Sequence, residues 1–144
     1  MKTILIVDDE KNIVSGLEEA FTLEGYSVLT AYDGKEAWDK VNTNNVDLVI
    51  TDLRMPMMNG NELVERISSS YPMLPVIVLT GHGTIETAVE SMRKGAVDFF
   101  TKPVDLDKLF LVVKKCLANS ELQEQNKRSE EHTSELQSLN SISY

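Results

Sequence analysis

The chain has 144 residues, 42% of them hydrophobic, which is enough for the core of one compact domain. Its formal net charge of −9 argues against binding of nucleic acid or of an anionic membrane by this segment. The single cysteine, Cys116, excludes an internal disulfide and a cysteine-based metal site. The apolar run at the start of the chain is too short for a signal peptide. We therefore expect a cytoplasmic protein with no membrane segment.

Short apolar runs recur along the chain and predict five strands. They occupy residues 4–7, 26–30, 46–51, 76–80 and 97–100. The runs ILIV, LVIT and VIVL are almost continuous in aliphatic and β-branched residues. Such runs indicate strands that are buried on both faces, as in a parallel sheet.

Stretches with helical periodicity lie between these runs and after the last one. They predict five helices. The first ends at Gly25, the second covers residues 35–41 and the third begins after an N-cap at Asn59. The fourth covers residues 84–94, and the fifth begins after an N-cap at Asp105. Five β–α units in succession, with right-handed crossovers, give a parallel sheet with helices on both faces. The predicted fold is a flavodoxin-like, doubly wound α/β sheet with five parallel strands in the order 2-1-3-4-5.

Polar side chains stand at the ends of four of the five predicted strands. Asp8 and Asp9 follow the first strand, Asp52 follows the third, Thr80 ends the fourth and Lys102 follows the fifth. Because ligands bind outside the carboxyl ends of parallel strands, we expect these side chains to share one site. Three carboxylates in a small pocket require a cation, and Mg²⁺ is typically held by one or two carboxylates, water and phosphate oxygen.

These residue types are the components of a phosphoryl-transfer site. A lysine pairs with phosphate or carboxylate, and a threonine offers its hydroxyl to a phosphoryl oxygen. A carboxylate can itself be the nucleophile and form an aspartyl phosphate. Spacing alone leaves three candidates for that nucleophile, although Asp52 stands alone whereas Asp8 and Asp9 are a pair suited to metal.

The chain resembles the receiver domain of a bacterial two-component response regulator. The resemblance rests on the motifs VDDE at 7–10, DLRMPMMNG at 52–60, LTGHG at 79–83 and FFTKP at 99–103. The stretch TGHGTIETAVESMRKGAVDFFTKP is most similar to receivers of nitrogen-regulation-type transcription activators. In those activators an ATPase module and a DNA-binding helix-turn-helix usually follow, and we expect such an output domain to lie outside these residues.

The resemblance implies a role for each residue of the site. Asp52 accepts a phosphoryl group from a histidine of a sensor kinase, and Lys102 contacts that group. Asp9, Asp52 and the backbone carbonyl of Arg54 bind Mg²⁺, and Asp8 acts on the metal through water.

A conformational switch is also implied by the resemblance. Thr80 moves toward the phosphoryl group and Phe99 rotates inward behind it, which changes the face formed by helix 4, strand 5 and helix 5 and allows a homodimer. Phe99 stands where tyrosine is more usual, so the packing remains and the hydroxyl is lost. The resemblance also implies a cis Lys102–Pro103 bond. We expect His82 to be a solvated loop residue, with contact to attacking water as the alternative.

We expect a receiver domain at residues 1–118, a linker helix at 119–127 and a non-native or disordered tail at 128–144. The predicted function is acceptance of a phosphoryl group and not turnover of a substrate, with a stand-alone receiver or a phosphorelay intermediate as alternatives. An aspartyl-phosphate phosphatase is disfavoured because Arg54 occupies the place of its second aspartate. A flavin-binding domain of similar topology is disfavoured because the loop after the first strand is acidic.

Overall fold

The structure, a computed structural model, describes residues 1–81 and 83–128, with side chains described up to Asn119. Strands and helices alternate strictly along this part of the chain. The strands are β1 (Thr3–Val7), β2 (Ser27–Ala31), β3 (Leu48–Thr51), β4 (Val76–Thr80) and β5 (Asp98–Thr101). The helices are α1 (Lys11–Leu23), α2 (Gly34–Thr43), α3 (Gly60–Ser70), α4 (Ile85–Lys94) and α5 (Leu106–Arg128).

The strands form one parallel sheet in the order β2-β1-β3-β4-β5, which confirms the predicted fold. The direction of winding reverses between β1 and β3, where ligands bind in such sheets. β3 begins at Leu48 and not at Val46 as predicted. Asp47 is nevertheless bonded to the start of β1: its amide donates to the Thr3 carbonyl at 2.8 Å and its carboxylate accepts from the Thr3 amide at 2.7 Å.

The core has two layers, because successive side chains of a strand point to opposite faces of the sheet. Ile4 and Ile6 of β1 join a layer formed with α1 and α5, whereas Leu5 and Val7 join a layer formed with α2 and α3. In the first layer the rings of Phe21 and Phe110 meet edge to face at 5.0 Å. Each fully buried aliphatic or aromatic side chain stabilises the fold by about 1.5–3 kcal/mol.

The helix ends follow the predicted signals. The Asn59 side chain accepts a hydrogen bond from the Glu62 amide at the start of α3. The Asp105 carboxylate accepts one from the Asp107 amide at the start of α5. Gly25 and Gly95, which follow α1 and α4, both have positive φ, the backbone conformation in which helices commonly end.

The last helix continues without interruption to Arg128, so it includes residues 119–127. The division of this helix into receiver and linker stays a prediction. Apart from Arg128, the predicted tail lies outside the described residues. Within the described part of the chain, no helix is both long and apolar enough to cross a membrane.

Candidate functional site

The register of the sheet brings the ends of β1, β3, β4 and β5 to one edge. Val7 pairs with Thr51, and the backbone amide of Asp52 donates to the Val7 carbonyl at 3.0 Å. On the other side, the amide of Lys102 donates to the Thr80 carbonyl at 2.9 Å. The parallel hydrogen-bond pattern therefore extends into the site itself, and the backbone of Asp52 and Lys102 is held by the neighbouring strands.

Four carboxylates meet at this edge. Asp8, Asp9, Glu10 and Asp52 each offer an oxygen atom, and these atoms all lie within 4.8 Å of one another. Asp8 and Asp52 are 2% and 4% exposed, whereas Asp9 and Glu10 are open to solvent. A set of hard oxygen donors with a buried floor and an open mouth suits Mg²⁺, which keeps several water ligands. Sequence reasoning had not assigned Glu10 to the site, although it directly follows Asp9 in the VDDE motif.

Lys102 provides the positive charge of this cluster. Its Nζ lies 2.7 Å from Asp8 Oδ2, 3.4 Å from Asp52 Oδ2 and 3.9 Å from Glu10 Oε1. One ammonium group among four carboxylates leaves the site strongly negative. The arrangement therefore favours a second cation, and the carboxylate oxygens identify where it would bind.

Burial of Asp8 and partial burial of Lys102 change how readily the two groups bind protons. Burial raises the pKa of the Asp8 carboxyl, although hydrogen bonds from Lys102 and from the Glu10 amide oppose the rise, and the charge of Asp52 adds to it. Burial acts against the charge of Lys102, but its hydrogen bond to Asp8 and the charge of Asp52 raise its pKa above the ordinary value. Lys102 therefore carries a positive charge at neutral pH.

The β3–α3 loop, residues 52–59, folds closely around Asp52. Asp52 Oδ1 accepts a hydrogen bond from the Leu53 amide at 2.7 Å, and the Gly60 amide donates to the Leu53 carbonyl at 2.8 Å. A Cβ atom at Gly60 would lie only 2.2 Å from the Asp52 carbonyl oxygen, so this position requires glycine. Sequence reasoning assigned no role to Gly60, although the Asn-Gly pair before a helix was a visible signal. Arg54 lies in this loop and its side chain is exposed.

Met57, also in this loop, has an unusual backbone conformation. Its φ is 73°, in the left-handed region that residues with a Cβ atom rarely adopt, and its side chain is 75% exposed. Backbone strain of this kind tends to occur at functional sites. Nothing in the sequence pattern had indicated it.

The two predicted switch residues lie on neighbouring strands. Thr80 is fully buried at the end of β4, and Phe99 is half-buried on β5 against the layer that contains α2 and α3. Gly83 lies against β5, since a Cβ atom at this position would stand 3.2 Å from the Phe99 ring and 2.1 Å from Thr101 Cγ2. The motion of Thr80 and Phe99 stays a prediction. His82 lies outside the described residues.

The turn after β5 adjoins an apolar cleft. The Lys102–Pro103 peptide bond is cis, as predicted. Beside it lies a cleft of about 330 Å³ between α1 and this turn; its lining is formed by Asn12, Ile13, Gly16, Leu17, Leu79, Lys102, Pro103, Val104 and Leu106. The cleft therefore begins at the lysine that contacts Asp8 and Asp52 and extends along α1.

Comparison with known proteins gives one consistent result. Residues 4–114 match the response regulator receiver domain. The chain is 44% identical over 117 residues to the transcriptional regulatory protein GlrR of Escherichia coli K12, covering 81% of this chain and 26% of GlrR. It is 38% identical over 120 residues to the DNA-binding transcriptional regulator NtrC of Klebsiella pneumoniae, covering 83% of this chain and 26% of NtrC. The chain thus spans about a quarter of the length of the curated relatives it matches.

Solved structures agree with this match. A CheY-like receiver domain protein from Methanospirillum hungatei superposes with a TM-score of 0.82 at 32% identity, covering 85% of this chain and 98% of that one. NtrX from Brucella abortus superposes with a TM-score of 0.82 at 35% identity, covering 90% of this chain and 30% of NtrX.

Proposed function

Because the chain belongs to the response regulator receiver domain family, the signalling domains of two-component systems, we propose that Asp52 is its phosphoryl acceptor. The observation that carries this assignment is the position of Asp52. It lies on the buried floor of the acidic cluster, with the Lys102 ammonium group 3.4 Å from its Oδ2. Asp8 is equally buried, but its Oδ2 is engaged with Lys102 at 2.7 Å.

The proposed reaction is an in-line displacement at phosphorus. A carboxylate oxygen of Asp52 forms a bond to the phosphorus atom of a phosphohistidine on a sensor kinase. The phosphorus–nitrogen bond breaks, and its electron pair stays on the imidazole. Lys102 donates hydrogen bonds to the phosphoryl oxygens, and the Thr80 hydroxyl donates another when it turns toward them. No other covalent step is required of the protein.

The acidic cluster would hold Mg²⁺ during this reaction. Asp9, Asp52 and the backbone carbonyl of Arg54 would provide direct ligands, and Asp8 would act through water. When bound, the ion neutralises charge between the carboxylates and the incoming phosphoryl oxygens. Gly60 contributes by keeping the β3–α3 loop close to Asp52.

The apolar cleft along α1 is the surface we assign to the sensor histidine kinase. A phosphohistidine must approach Asp52 closely, and this cleft is continuous with Lys102 at the site. Gly16 supports this assignment. It lies in the middle of α1, where glycine weakens a helix, yet no atom lies within 4 Å of the position of its missing Cβ. The fold of this chain does not require glycine at position 16. A helix of the kinase packed across α1 would require it.

The output surface is proposed to be the face formed by α4, β5 and α5. Exposed apolar side chains stand on these helices and directly before β5, namely Ile85, Val89, Met92, Val97 and Leu111. Phosphorylation of Asp52 would change this face through Thr80 and Phe99 and permit a homodimer. In this proposal residues 1–118 are the receiver, residues 119–127 are a linker helix, and a transcription-activating module lies beyond them in a cytoplasmic regulator.

The test of this function is intact mass measurement after incubation with acetyl phosphate and Mg²⁺. We expect the wild-type protein to gain the mass of one phosphoryl group, and Asp52→Asn, which keeps the shape of the side chain, to gain none. Equal labelling of both proteins would contradict the assignment. Multiple turnover of a phosphate ester through Asp52 would favour a phosphatase instead.

A further inference from the structure

We propose that Thr51 is a positioning residue for Asp52, because its hydroxyl orients the peptide unit that holds the reacting carboxylate. Thr51 is the last residue of β3 and directly precedes Asp52. The proposal rests on the proposed phosphorylation of Asp52, and it names a residue outside the acidic cluster that controls the rate of this reaction.

The first observation is that the Thr51 hydroxyl lies in an apolar part of the core. Thr51 is fully buried, and its neighbours on this face of the sheet are valines. They are the partners across the sheet, Val7 and Val78, and Val49 two residues earlier on β3. Valine has nearly the same shape as threonine and would suit this position. A buried hydroxyl costs free energy unless it is hydrogen-bonded, so packing alone does not account for threonine here.

The Thr51 hydroxyl is bonded to the backbone of the proposed phosphoryl acceptor. It donates to the carbonyl oxygen of Asp52 at 2.9 Å. The sulfur of Met55 lies 3.9 Å from the same hydroxyl, and a thioether sulfur is a weak acceptor. The carbonyl of Asp52 is therefore the main acceptor of this buried donor.

The far end of the same peptide unit holds the Asp52 side chain. The Asp52 carbonyl and the Leu53 amide belong to one planar unit, so a bond that fixes one end also orients the other. The Leu53 amide donates to Asp52 Oδ1 at 2.7 Å. A donor on the carbonyl also polarises the peptide unit and strengthens its amide as a donor. With Oδ1 held in this way, Oδ2 stands on the side of Lys102, at 3.4 Å from its Nζ.

The surrounding backbone confines this peptide unit. The Asp52 amide donates to the Val7 carbonyl at 3.0 Å, and the Leu53 carbonyl accepts from the Gly60 amide at 2.8 Å. Gly60 also approaches the Asp52 carbonyl so closely that a Cβ atom there would lie 2.2 Å from its oxygen. Loss of the Thr51 hydroxyl would release one side of this frame and with it the direction of the carboxylate. Even a small misplacement of a reacting group lowers the rate of a reaction.

Two variants of Thr51 separate the hydroxyl from the packing. Thr51→Val keeps the size of the side chain and loses the hydroxyl, whereas Thr51→Ser keeps the hydroxyl and loses a methyl group. The measurement is the rate of labelling by acetyl phosphate and Mg²⁺, followed by intact mass. We expect Thr51→Val to be labelled about fivefold more slowly, the factor that one hydrogen bond contributes, and Thr51→Ser at nearly the wild-type rate.

Thr30→Val, the same change at a half-buried position of β2, is the control and should be labelled at the wild-type rate. A wild-type rate in Thr51→Val, or labelling of Thr51→Ser as slow as that of Thr51→Val, would overturn the positioning role. Absence of labelling in the wild type would instead overturn the proposed function.

The amide proton of Leu53 tests the same role without any phosphorylation. A short hydrogen bond to Asp52 Oδ1 moves the resonance of this proton downfield. In proton–nitrogen correlation spectra of the Mg²⁺-free protein, we expect the Leu53 resonance to move upfield in Thr51→Val and to keep its wild-type position in Thr51→Ser. A Leu53 resonance at the same position in all three proteins would overturn the positioning role.

Discussion

Lys102 lies closer to Asp8 than to Asp52: its Nζ is 2.7 Å from Asp8 Oδ2 and 3.4 Å from Asp52 Oδ2. The lysine is thus bound mainly to a carboxylate that belongs to the proposed Mg²⁺ site. Lys102 and Mg²⁺ are in this respect competitors for the same negative charge. In the proposed function the same lysine contacts the phosphoryl group after its transfer.

We expect Lys102→Met to bind Mg²⁺ more tightly than the wild type, because the variant removes a cation that offsets the four carboxylates. It should also be less stable without Mg²⁺, by about 3 kcal/mol, since two buried carboxylates lose their partner. Calorimetric titration with Mg²⁺ and denaturant unfolding measure the two effects. Lys114→Met, at an exposed position of α5, is the control. Weaker Mg²⁺ binding by Lys102→Met would show that the lysine does not compete with the metal.

Asp8→Asn should stabilise the Mg²⁺-free protein by about 1–2 kcal/mol near neutral pH, because burial raises the pKa of the Asp8 carboxyl and makes its charge costly, and because Lys102 keeps Asp52 as a partner. The pKa of Asp8 is higher in the folded than in the unfolded protein, so protonation of this carboxyl favours folding. This contribution is fully present below 3.8, the pKa of the unfolded chain. That stability is lost as the pH rises through the folded pKa. The extra stability of Asp8→Asn over the wild type should therefore grow as the pH rises from 3.8 to the folded pKa of Asp8, and stay constant above it.

Denaturant unfolding of wild type and Asp8→Asn from pH 3 to 8, roughly the range in which carboxyls titrate, measures this difference. Saturating Mg²⁺ should reduce the advantage, because the wild-type carboxylate then gains a partner. An advantage that is largest at the lowest pH would contradict the raised pKa.

Gly16→Ala should stabilise the fold and impair signalling. Alanine in the middle of α1 gains about 1 kcal/mol over glycine, and its Cβ meets nothing in the isolated chain. We expect slower phosphoryl transfer from the cognate sensor kinase and an unchanged rate from acetyl phosphate, which needs no docking surface. If both donors are affected equally, or neither is, Gly16 does not lie under the kinase.

Met57→Asn should stabilise the fold by about 0.5–1 kcal/mol, because asparagine tolerates the left-handed backbone at φ 73° better than methionine. The measurement is the midpoint of denaturant unfolding. Met57→Val is the matched opposite change and should destabilise, since a β-branched side chain fits this conformation worst. Two variants of equal stability would show that the loop relaxes without cost.

The sequence was most informative where strand ends carry charge. Adjacent parallel strands end at the same edge of the sheet, and the fold therefore places Asp8, Asp9, Asp52 and Lys102 there. The alternation of buried apolar runs with helical stretches was enough to predict this sheet from the sequence. The caps at Asn59 and Asp105 were readable for a similar reason: each depends on a side chain and on amides at most three residues away.

Features that depend on long-range geometry could not be predicted in this way. The apolar positions of α4 suggested an ordinary buried face, yet Ile85 and Val89 are exposed and the buried position is Ser91. Whether a helical stripe is covered depends on which elements surround it, and the sequence pattern does not contain that information. The requirement for glycine at position 60 likewise arises from the approach of Asp52, eight residues earlier in the chain.

The most direct test of the central claim identifies the modified residue and not only the added mass. Protein treated with acetyl phosphate and Mg²⁺ is reduced with borohydride, which converts an acyl phosphate to homoserine, and is then mapped by peptide mass spectrometry. We predict homoserine at position 52 alone, and none when Mg²⁺ is chelated. Reduction at Asp8 or Asp9, or a phosphate on a serine or threonine that survives borohydride, would contradict the account.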